Sequence, residues 1–200
     1  MDAIETLMGE HRVIERVLDA LVGFADEVGR RGSTEKEELG RFVTFVRGFA
    51  DAHHHGKEED ILFAQMVAHG FPKEGGPIAV MLHEHDQGRA LVGILRGHAE
   101  ATGAWSEADR EQIQEAARAF AGMLRAHIHK EDAILYPMAE QHLPADAMAE
   151  VSEACDRYEG SAAQGGEPDR LRALADELIR THAAAVHPPE PRAFRAGCCG

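Results

Sequence analysis

Histidine is frequent in this chain, and its positions follow the inward faces of predicted helices. The sequence contains 13 histidines among 200 residues. Neutral imidazole is the commonest metal ligand in proteins. The apolar periodicity of four long segments passes through one histidine in each, and these are His11, His54, His85 and His127. Because an unpaired polar group in an apolar core costs about 1–3 kcal/mol, four converging imidazoles predict a shared metal rather than four separate hydrogen bonds.

Two carboxylates follow histidines at helical spacing and extend the predicted site. Glu58 lies four residues after His54, and Glu131 lies four residues after His127, so each pair shares one helix face. His55, next to His54, is a fifth inward candidate. On a helical wheel Glu58 lies between His54 and His55, where its carboxylate could bridge two metals. One tetrahedral zinc uses about four ligands, whereas five histidines and two carboxylates offer seven N and O donors without a thiolate. This donor set favours two borderline metals, chiefly iron.

The other eight histidines are predicted to lie outside the site. His83 is two residues from His85, and His129 is two residues from His127, so each points to the opposite side of its helix. His53 is predicted to flank the site on the side of Phe42 and Phe49. Surface or helix-capping roles are predicted for the remaining five, which are His69, His98, His142, His182 and His187.

Four helical segments separated by glycine- and proline-containing breaks predict the scaffold. Apolar residues recur at three- and four-residue steps throughout, and no segment alternates with the period of a strand. Ser33 or Thr34 is a predicted N-cap of the second helix, and Ser106 with Asp109 predicts a capping box for the fourth. Pro144 ends the fourth segment. We therefore expect an all-α fold, with an antiparallel up-down four-helix bundle and a short C-terminal helical appendage.

The bundle is expected to cover residues 1–143, and residues 144–200 are expected to form a C-terminal helical extension and a flexible tail. Helices are predicted over 145–159 and 169–182. A second apolar face on the second helix is predicted to pack against the 169–182 helix, with a dimer contact as the alternative; its residues are Phe42, Phe45 and Phe49.

Charge and cysteine content restrict the partners and the compartment. The chain has 35 acidic and 21 basic residues, for a net charge of −14. This balance argues against nucleic acid or an anionic membrane as a partner, and no apolar run is long enough to span a bilayer. The cysteines are Cys155, Cys198 and Cys199, an odd number without a disulfide framework, and no secretory segment is recognised. A cytoplasmic location is expected, and the adjacent pair at the C-terminus is interpreted as tail rather than as a redox or metal handle.

The two halves of the predicted bundle resemble each other. Glu10-His11 corresponds to Glu84-His85, and HHGKEEDILF (54–63) corresponds to HIHKEDAILY (127–136). The correspondence fails at His55, which aligns with Ile128. The two metals are therefore expected to be unequally ligated, with a small molecule binding on the poorer side.

Residues 1–143 resemble the hemerythrin-like, or HHE cation-binding, family. The resemblance rests on EHRVIERVL, HHHGKEEDILF, MLHEHDQGR and HIHKEDAILYP. It implies a four-helix bundle with two non-haem iron ions bridged by the carboxylates of Glu58 and Glu131, with an oxo or hydroxo bridge as a further option. The third helix lacks the HxxxH pair of the invertebrate oxygen carriers, and His55 replaces the missing imidazole. The ligands that the resemblance implies are His11, His54, His55, Glu58, His85, His127 and Glu131.

Such a centre suggests three classes of function. The first is binding, sensing or carriage of O2 or a related oxidant, or iron binding. The second is an enzyme that decomposes hydrogen peroxide or handles nitric oxide or iron-centre repair. The third is a metal-dependent interaction protein, and the chain is expected to be a monomer or a homodimer. Tyr136 could hydrogen-bond to a bound oxygen species, although a structural role at a helix end is favoured. An apolar wall is expected from Ile61, Leu62, Phe63, Ile134 and Leu135.

Overall fold

A computed structural model describes residues 2–31, 35–163 and 167–182. These residues form six helices and no strand, so the predicted all-α class is confirmed. The predicted N-cap at Ser33 or Thr34, His187 and the Cys198-Cys199 pair lie outside the described residues. The helices are α1 (Ala3–Arg31), α2 (36–68), α3 (Gly76–Glu100), α4 (107–142), α5 (Ala145–Ala163) and α6 (Glu167–His182).

Local sequence explains where the helices begin. Ser106 Oγ accepts a hydrogen bond from the Asp109 N–H at 3.2 Å, and Asp109 Oδ2 accepts from the Ser106 N–H at 2.8 Å. The predicted capping box at the start of α4 is therefore confirmed. At the start of α3, Gly75 and Gly76 have φ values of 82° and 77°, a conformation that favours glycine. Pro77 follows within the first turn, where its missing N–H costs nothing.

Helices α2 and α4 contain π-helical segments, in which the N–H bonds to the carbonyl five residues earlier. In α2 they cover Val46–His55 and Glu58–Leu62, and in α4 one covers Glu131–Leu135. The N–H of Phe63 bonds to the Glu58 carbonyl in this way. A wider turn of this kind shifts the angular position of the side chains around the helix, and such turns occur often at functional sites.

Two apolar clusters fill the bundle, one toward each end. One includes Ile14, Phe24, Phe49, Val92 and Leu124, which are at most 5% exposed. The other is built from residues such as Leu7, Leu62, Met81, Leu135 and Tyr136. Each long helix crosses from one cluster to the other. The level between the clusters is therefore shielded from water on both sides.

The C-terminal helices pack on α1 and α2. The Phe42 ring lies 5.5 Å from the His182 ring, and the Arg172 guanidinium lies 5.1 Å above the Phe49 ring. The predicted packing of the phenylalanine face against the last helix is confirmed. Gly48 permits this approach, because a Cβ atom there would lie 2.9 Å from Leu171 Cδ1. Within the described ranges, no helix is long and apolar enough to cross a membrane.

Candidate metal centre

The seven residues predicted as metal ligands lie together at the level between the two apolar clusters. They come from α1, α2, α3 and α4, and each is at most 7% exposed. Along α1, for example, His11 follows Leu7 of one cluster and precedes Ile14 of the other. The residues that the structure brings together are His11, His54, His55, Glu58, His85, His127 and Glu131.

Their donor atoms form two groups of four that share Glu58, and within each group the atoms lie within 4.8 Å of one another. The groups are His11, His54, Glu58 and Glu131, and His55, Glu58, His85 and His127. Glu131 also lies between the two groups, because its Oε1 is 3.0 Å from His127 Nε2 and its Oε2 is 3.3 Å from His11 Nε2. The arrangement could hold two ions side by side with these carboxylates between them.

The π-helical segments coincide with the part of α2 and α4 that supplies most of these residues. His54 and His55 end one segment, Glu58 begins the next, and Glu131 begins the segment in α4. Adjacent residues of an ideal α-helix point about 100° apart. The wider turns accompany the inward placement of His54 and His55, both of which are buried.

Four of the imidazoles are held by carboxylates from a neighbouring helix in a closed cycle. Each Nδ1 lies 2.7–2.9 Å from a carboxylate oxygen. A carboxylate of α1 bonds to the histidine of α2. In the same way, a carboxylate of α2 bonds to the histidine of α3, one of α3 to that of α4, and one of α4 to that of α1. This orients each ring with its Nε2 toward the centre and raises its basicity. The pairs are Glu10 with His54, Glu59 with His85, Glu84 with His127, and Asp132 with His11.

The inward nitrogens face one another at short range. His54 Nε2 lies 2.9 Å from His11 Nε2, and His85 Nε2 lies 3.0 Å from His127 Nε2. If each Nδ1 donates its proton to its carboxylate, both nitrogens of a pair present lone pairs to each other. A cation between them removes this repulsion, so the geometry fits a metal ion in each group.

Unsatisfied carboxylate oxygens at the centre provide an independent test of metal fit. Glu58 Oε2 and both side-chain oxygens of Glu131 are buried without a hydrogen-bond partner. A buried acceptor left unpaired costs about 1–3 kcal/mol or more when it is charged. Metal coordination would satisfy all three oxygens, and the hard oxygen and imidazole donors suit iron.

The two central carboxyl groups have opposite proton affinities. Burial and the nearby charge of Glu131 raise the pKa of Glu58 well above its ordinary value. Burial acts in the same direction on Glu131, but His11 and His127 outweigh it and hold the pKa of Glu131 well below its ordinary value. Burial also lowers the pKa of His54 to about 3 and that of His55 to about 4. These two imidazoles are therefore neutral at pH 7, as metal ligands must be.

Tyr136 belongs to the centre rather than only to a helix end. Its side chain is completely buried, and its hydroxyl donates to Glu58 Oε1 at 2.6 Å. The ring stacks on the imidazole of His11 at a centroid distance of 5.6 Å. The structural role at a helix end that the sequence favoured therefore does not describe Tyr136 fully. Of the predicted apolar wall, Ile134 is 52% exposed and does not contribute, whereas Leu62, Phe63 and Leu135 are buried.

A buried charge network joins this centre to the C-terminal helices. Lys57 is fully buried, and its Nζ donates to Glu10 Oε1 at 2.5 Å and to Glu159 of α5. His53 Nε2 is 3.1 Å from Glu10 Oε1. Glu10 therefore links His54 to Lys57 and Glu159. Sequence reasoning missed this network, because a lysine and flanking acidic residues ordinarily indicate a solvated helix face.

The other histidines divide into confirmed and corrected predictions. His83 and His129 are exposed, as their positions opposite the ligand candidates predicted. His69 and His142 each bond to a carbonyl in the preceding turn of their helices. His53 lies on the predicted side, with its ring 5.5 Å from the Phe49 ring, and is buried in the charge network. The surface or capping role predicted for His182 was wrong, because it is buried against Phe24, Phe42 and Glu38.

The comparison with protein families agrees with this geometry. The family described as the hemerythrin HHE cation-binding domain matches residues 2–139. This range contains all seven candidate ligands and the carboxylates of the cycle.

Curated relatives include uncharacterised proteins of Mycobacterium bovis and Mycobacterium tuberculosis. Each is 22% identical over 160 residues, which cover 78% of this chain and 61% of the relative. The chain thus spans about three-fifths of the length of these relatives. No solved structure matches the chain. The family match over most of the chain, together with two buried histidine–carboxylate groups able to hold a metal, shows that this protein belongs to the hemerythrin HHE cation-binding domain family.

Proposed function

We propose that this protein is a non-haem di-iron protein that binds O2 or a related small oxidant inside the helical bundle. The observation that carries the proposal is the pair of buried four-donor groups that share Glu58. His11, His54, Glu58 and Glu131 would hold one iron, and His55, His85 and His127 would hold the other together with the two carboxylates. The proposal includes the antiparallel up-down order of the long helices and the cytoplasmic setting expected from the sequence.

Two irons with unequal ligands would supply reversible electron transfer to a small oxidant. The group of His11 and His54 has two imidazoles, whereas the other has three. A free coordination position is therefore proposed on the His11 side. The Tyr136 hydroxyl lies there, 3.4 Å from His11 Nε2, and the buried apolar residues Leu62 and Leu135 exclude water nearby.

Tyr136 also favours a second candidate, an enzyme that decomposes hydrogen peroxide or handles nitric oxide. Such a reaction needs a proton donor within hydrogen-bond reach of the reacting group. Burial and the neighbouring carboxyl group of Glu58 raise the pKa of Tyr136 well above its ordinary value, so at neutral pH its hydroxyl is a hydrogen-bond donor and only a weak acid. The same hydroxyl could stabilise a bound ligand by hydrogen bonding without any turnover.

Reconstitution with Fe(II) under anaerobic conditions tests the proposal. We expect two irons per chain, and charge-transfer absorption that appears with O2 and reverses when O2 is removed. Evolution of O2 from hydrogen peroxide would favour the enzyme instead. A chain that takes up a single zinc and no iron would contradict both.

Substitutions test the ligand assignment separately. His54→Ala and Glu131→Ala should each lower the bound iron, because each removes a donor from a buried group. His129→Ala is the matched control, since His129 is an exposed histidine on α4. Unchanged iron content in His54→Ala and Glu131→Ala would show that the assignment is wrong.

A further inference from the structure

A cavity of about 270 Å³ lies between α2, α3 and α4, and His55 and His85 are among its lining residues. Part of its wall is apolar and comes from Val46, Val92 and Phe120. The cavity lies outside the cluster of ligand atoms, on the side of the three-histidine group. It is large enough for a small organic molecule with an apolar body.

One of the residues that line this cavity has a buried polar atom without a hydrogen-bond partner. His55 Nδ1 is buried without a hydrogen bond, and the His55 side chain is 8% exposed. The other four candidate imidazoles each have a carboxylate 2.7–2.9 Å from Nδ1. Asp51 Oδ1 is the nearest such oxygen to His55, at 3.5 Å, but it accepts a hydrogen bond from Arg89 Nε at 2.8 Å. His55 thus lacks the short carboxylate contact that the other four imidazoles have.

The charges around the cavity suit an anion, although the whole chain carries −14. Arg47, Arg89 and Arg96 line it. Arg89 bonds to Asp51, Glu59 and Asp86, and Glu84 bonds to His127 and Lys130. The cations that remain to face a ligand are therefore Arg47 and Arg96. Guanidinium groups are good partners for carboxylates because their donors form a planar fork.

We propose that this cavity binds a small organic carboxylate with a short apolar chain. Its carboxylate accepts a hydrogen bond from His55 Nδ1, and its apolar chain lies against Val46, Val92 and Phe120. The inference deepens the proposed function and rests on it, since His55 donates from Nδ1 while Nε2 holds the metal. A ligand that supplies the missing acceptor raises the basicity of His55, so carboxylate binding and metal binding strengthen each other reciprocally.

Calorimetric titration of the iron-loaded chain with hexanoate tests the inference, with hexylamine as a probe of similar size and opposite charge. We expect hexanoate to bind at least about tenfold more tightly than hexylamine. Arg96→Gln should weaken hexanoate binding while leaving the walls intact. Equal binding of the two probes would overturn the inference.

Two glycines of α3 provide a matched pair of variants. Gly93 lines the cavity, Gly97 lies four residues later outside its lining, and a Cβ atom at either position meets nothing within 4 Å. Gly93→Leu should fill the entrance and weaken hexanoate binding about tenfold or more, whereas Gly97→Leu should leave it unchanged. Both substitutions favour the helix, so loss of folding is not expected. Equal affinity in the two variants would overturn the proposed location.

Metal analysis of the same samples separates this inference from the proposed function. A chain that holds two irons but gives no heat with hexanoate overturns the carboxylate site and leaves the di-iron proposal standing. A chain that holds no iron overturns the di-iron proposal, and hexanoate titration of that metal-free chain with the two glycine variants then decides the cavity by itself.

Discussion

The orientation of each candidate ligand depends on a residue from another helix. The carboxylates of Glu10, Glu59, Glu84 and Asp132 each bond to an imidazole Nδ1 across a helix interface. Removing one of them would therefore affect metal affinity while every ligand stays in place. The four helices must also be packed correctly before the rings can be oriented.

Asp132→Asn tests this dependence. Asp132 lies 2.7 Å from His11 Nδ1, and a neutral amide accepts this hydrogen bond more weakly than a carboxylate. We expect metal affinity to fall about 10–100-fold, measured by competition with a chelator. Asp86→Asn is the control, because Asp86 is 76% exposed and bonds to Arg89 rather than to an imidazole. Equal affinities in the two variants would show that the cycle does not support the site.

Glu58→Gln tests how much the buried carboxylate of Glu58 lowers the free energy of unfolding of the metal-free chain. Because the pKa of Glu58 in the fold is raised well above 4.5, the fold retains a proton that the unfolded chain releases. The free energy of unfolding therefore decreases as pH rises from about 4.5 through the raised pKa. Glutamine carries no charge, so the variant should avoid this decrease and unfold several degrees higher at about pH 8 than the wild type.

Thermal unfolding with a chelator present, at about pH 5 and pH 8, measures this difference. The advantage of Glu58→Gln should be small at the lower pH and larger at the higher pH. With iron added, the order should reverse, since the variant loses a ligand common to both groups. A wild-type unfolding temperature that does not change between the two pH values in the chelator would contradict the raised pKa.

At the level of single residues, periodicity predicted the buried positions well because the candidate ligands share the core-facing stripe. It could not identify the partners of those ligands. Glu59, Glu84 and Asp132 lie beside the stripe, where an acidic residue indicates solvent. The internal repeat pointed to them, because Glu10-His11 corresponds to Glu84-His85 and Glu59 corresponds to Asp132. Lys57 was missed for the same reason, since its burial depends on Glu159 from a distant segment.

The helices themselves depart from ideal geometry at the site. Helical wheels assume 3.6 residues per turn, so they predict inward faces but not the π-helical turns at His54, His55 and Glu131. Pro137 follows the segment in α4 and lacks an N–H, which was a readable signal of altered hydrogen bonding there. No corresponding proline marks α2, and its π-helical turns could not be predicted from the sequence.

The contact between α2 and α5 can be tested at Lys57. Lys57→Met leaves Glu10 and Glu159 close together without their shared cation. Loss of one partner from a buried ion pair costs about 3–5 kcal/mol, and urea unfolding measures it. Lys73→Met is the control, because Lys73 is exposed.

A double-mutant cycle with Glu159→Gln shows whether Lys57 acts through α5. The double variant should be less destabilised than the sum of the single variants, with a coupling energy of about 0.5–3 kcal/mol. Additive effects would mean that Lys57 stabilises α2 and Glu10 without Glu159.

For the molecule as a whole, the four long helices, the ends of α3 and α4, and the phenylalanine face were predictable from periodicity, glycine, proline and capping residues. The contribution of α5 and α6 to the apolar clusters was not predictable. Val151 and Cys155 belong to one apolar cluster, and Leu171 and Leu178 belong to the other. Single-helix amphipathicity shows which residues are apolar, but not which cluster they complete.

Truncation tests whether the bundle of residues 1–143 depends on residues 144–200 for its stability. Val151, Leu171 and Leu178 are at most 3% exposed, and each such side chain contributes about 1.5–3 kcal/mol on burial. Their loss from a fragment of residues 1–143 is comparable with the total stability of a typical domain, about 5–15 kcal/mol.

We expect this fragment to lack a cooperative thermal transition without metal and to regain one with iron, because a ligand that binds only the folded state stabilises it. A fragment of residues 1–182 keeps α5 and α6, and its unfolding temperature, measured by circular dichroism, is the reference. If the 1–143 fragment without metal also unfolds at that temperature, the bundle does not depend on α5 and α6.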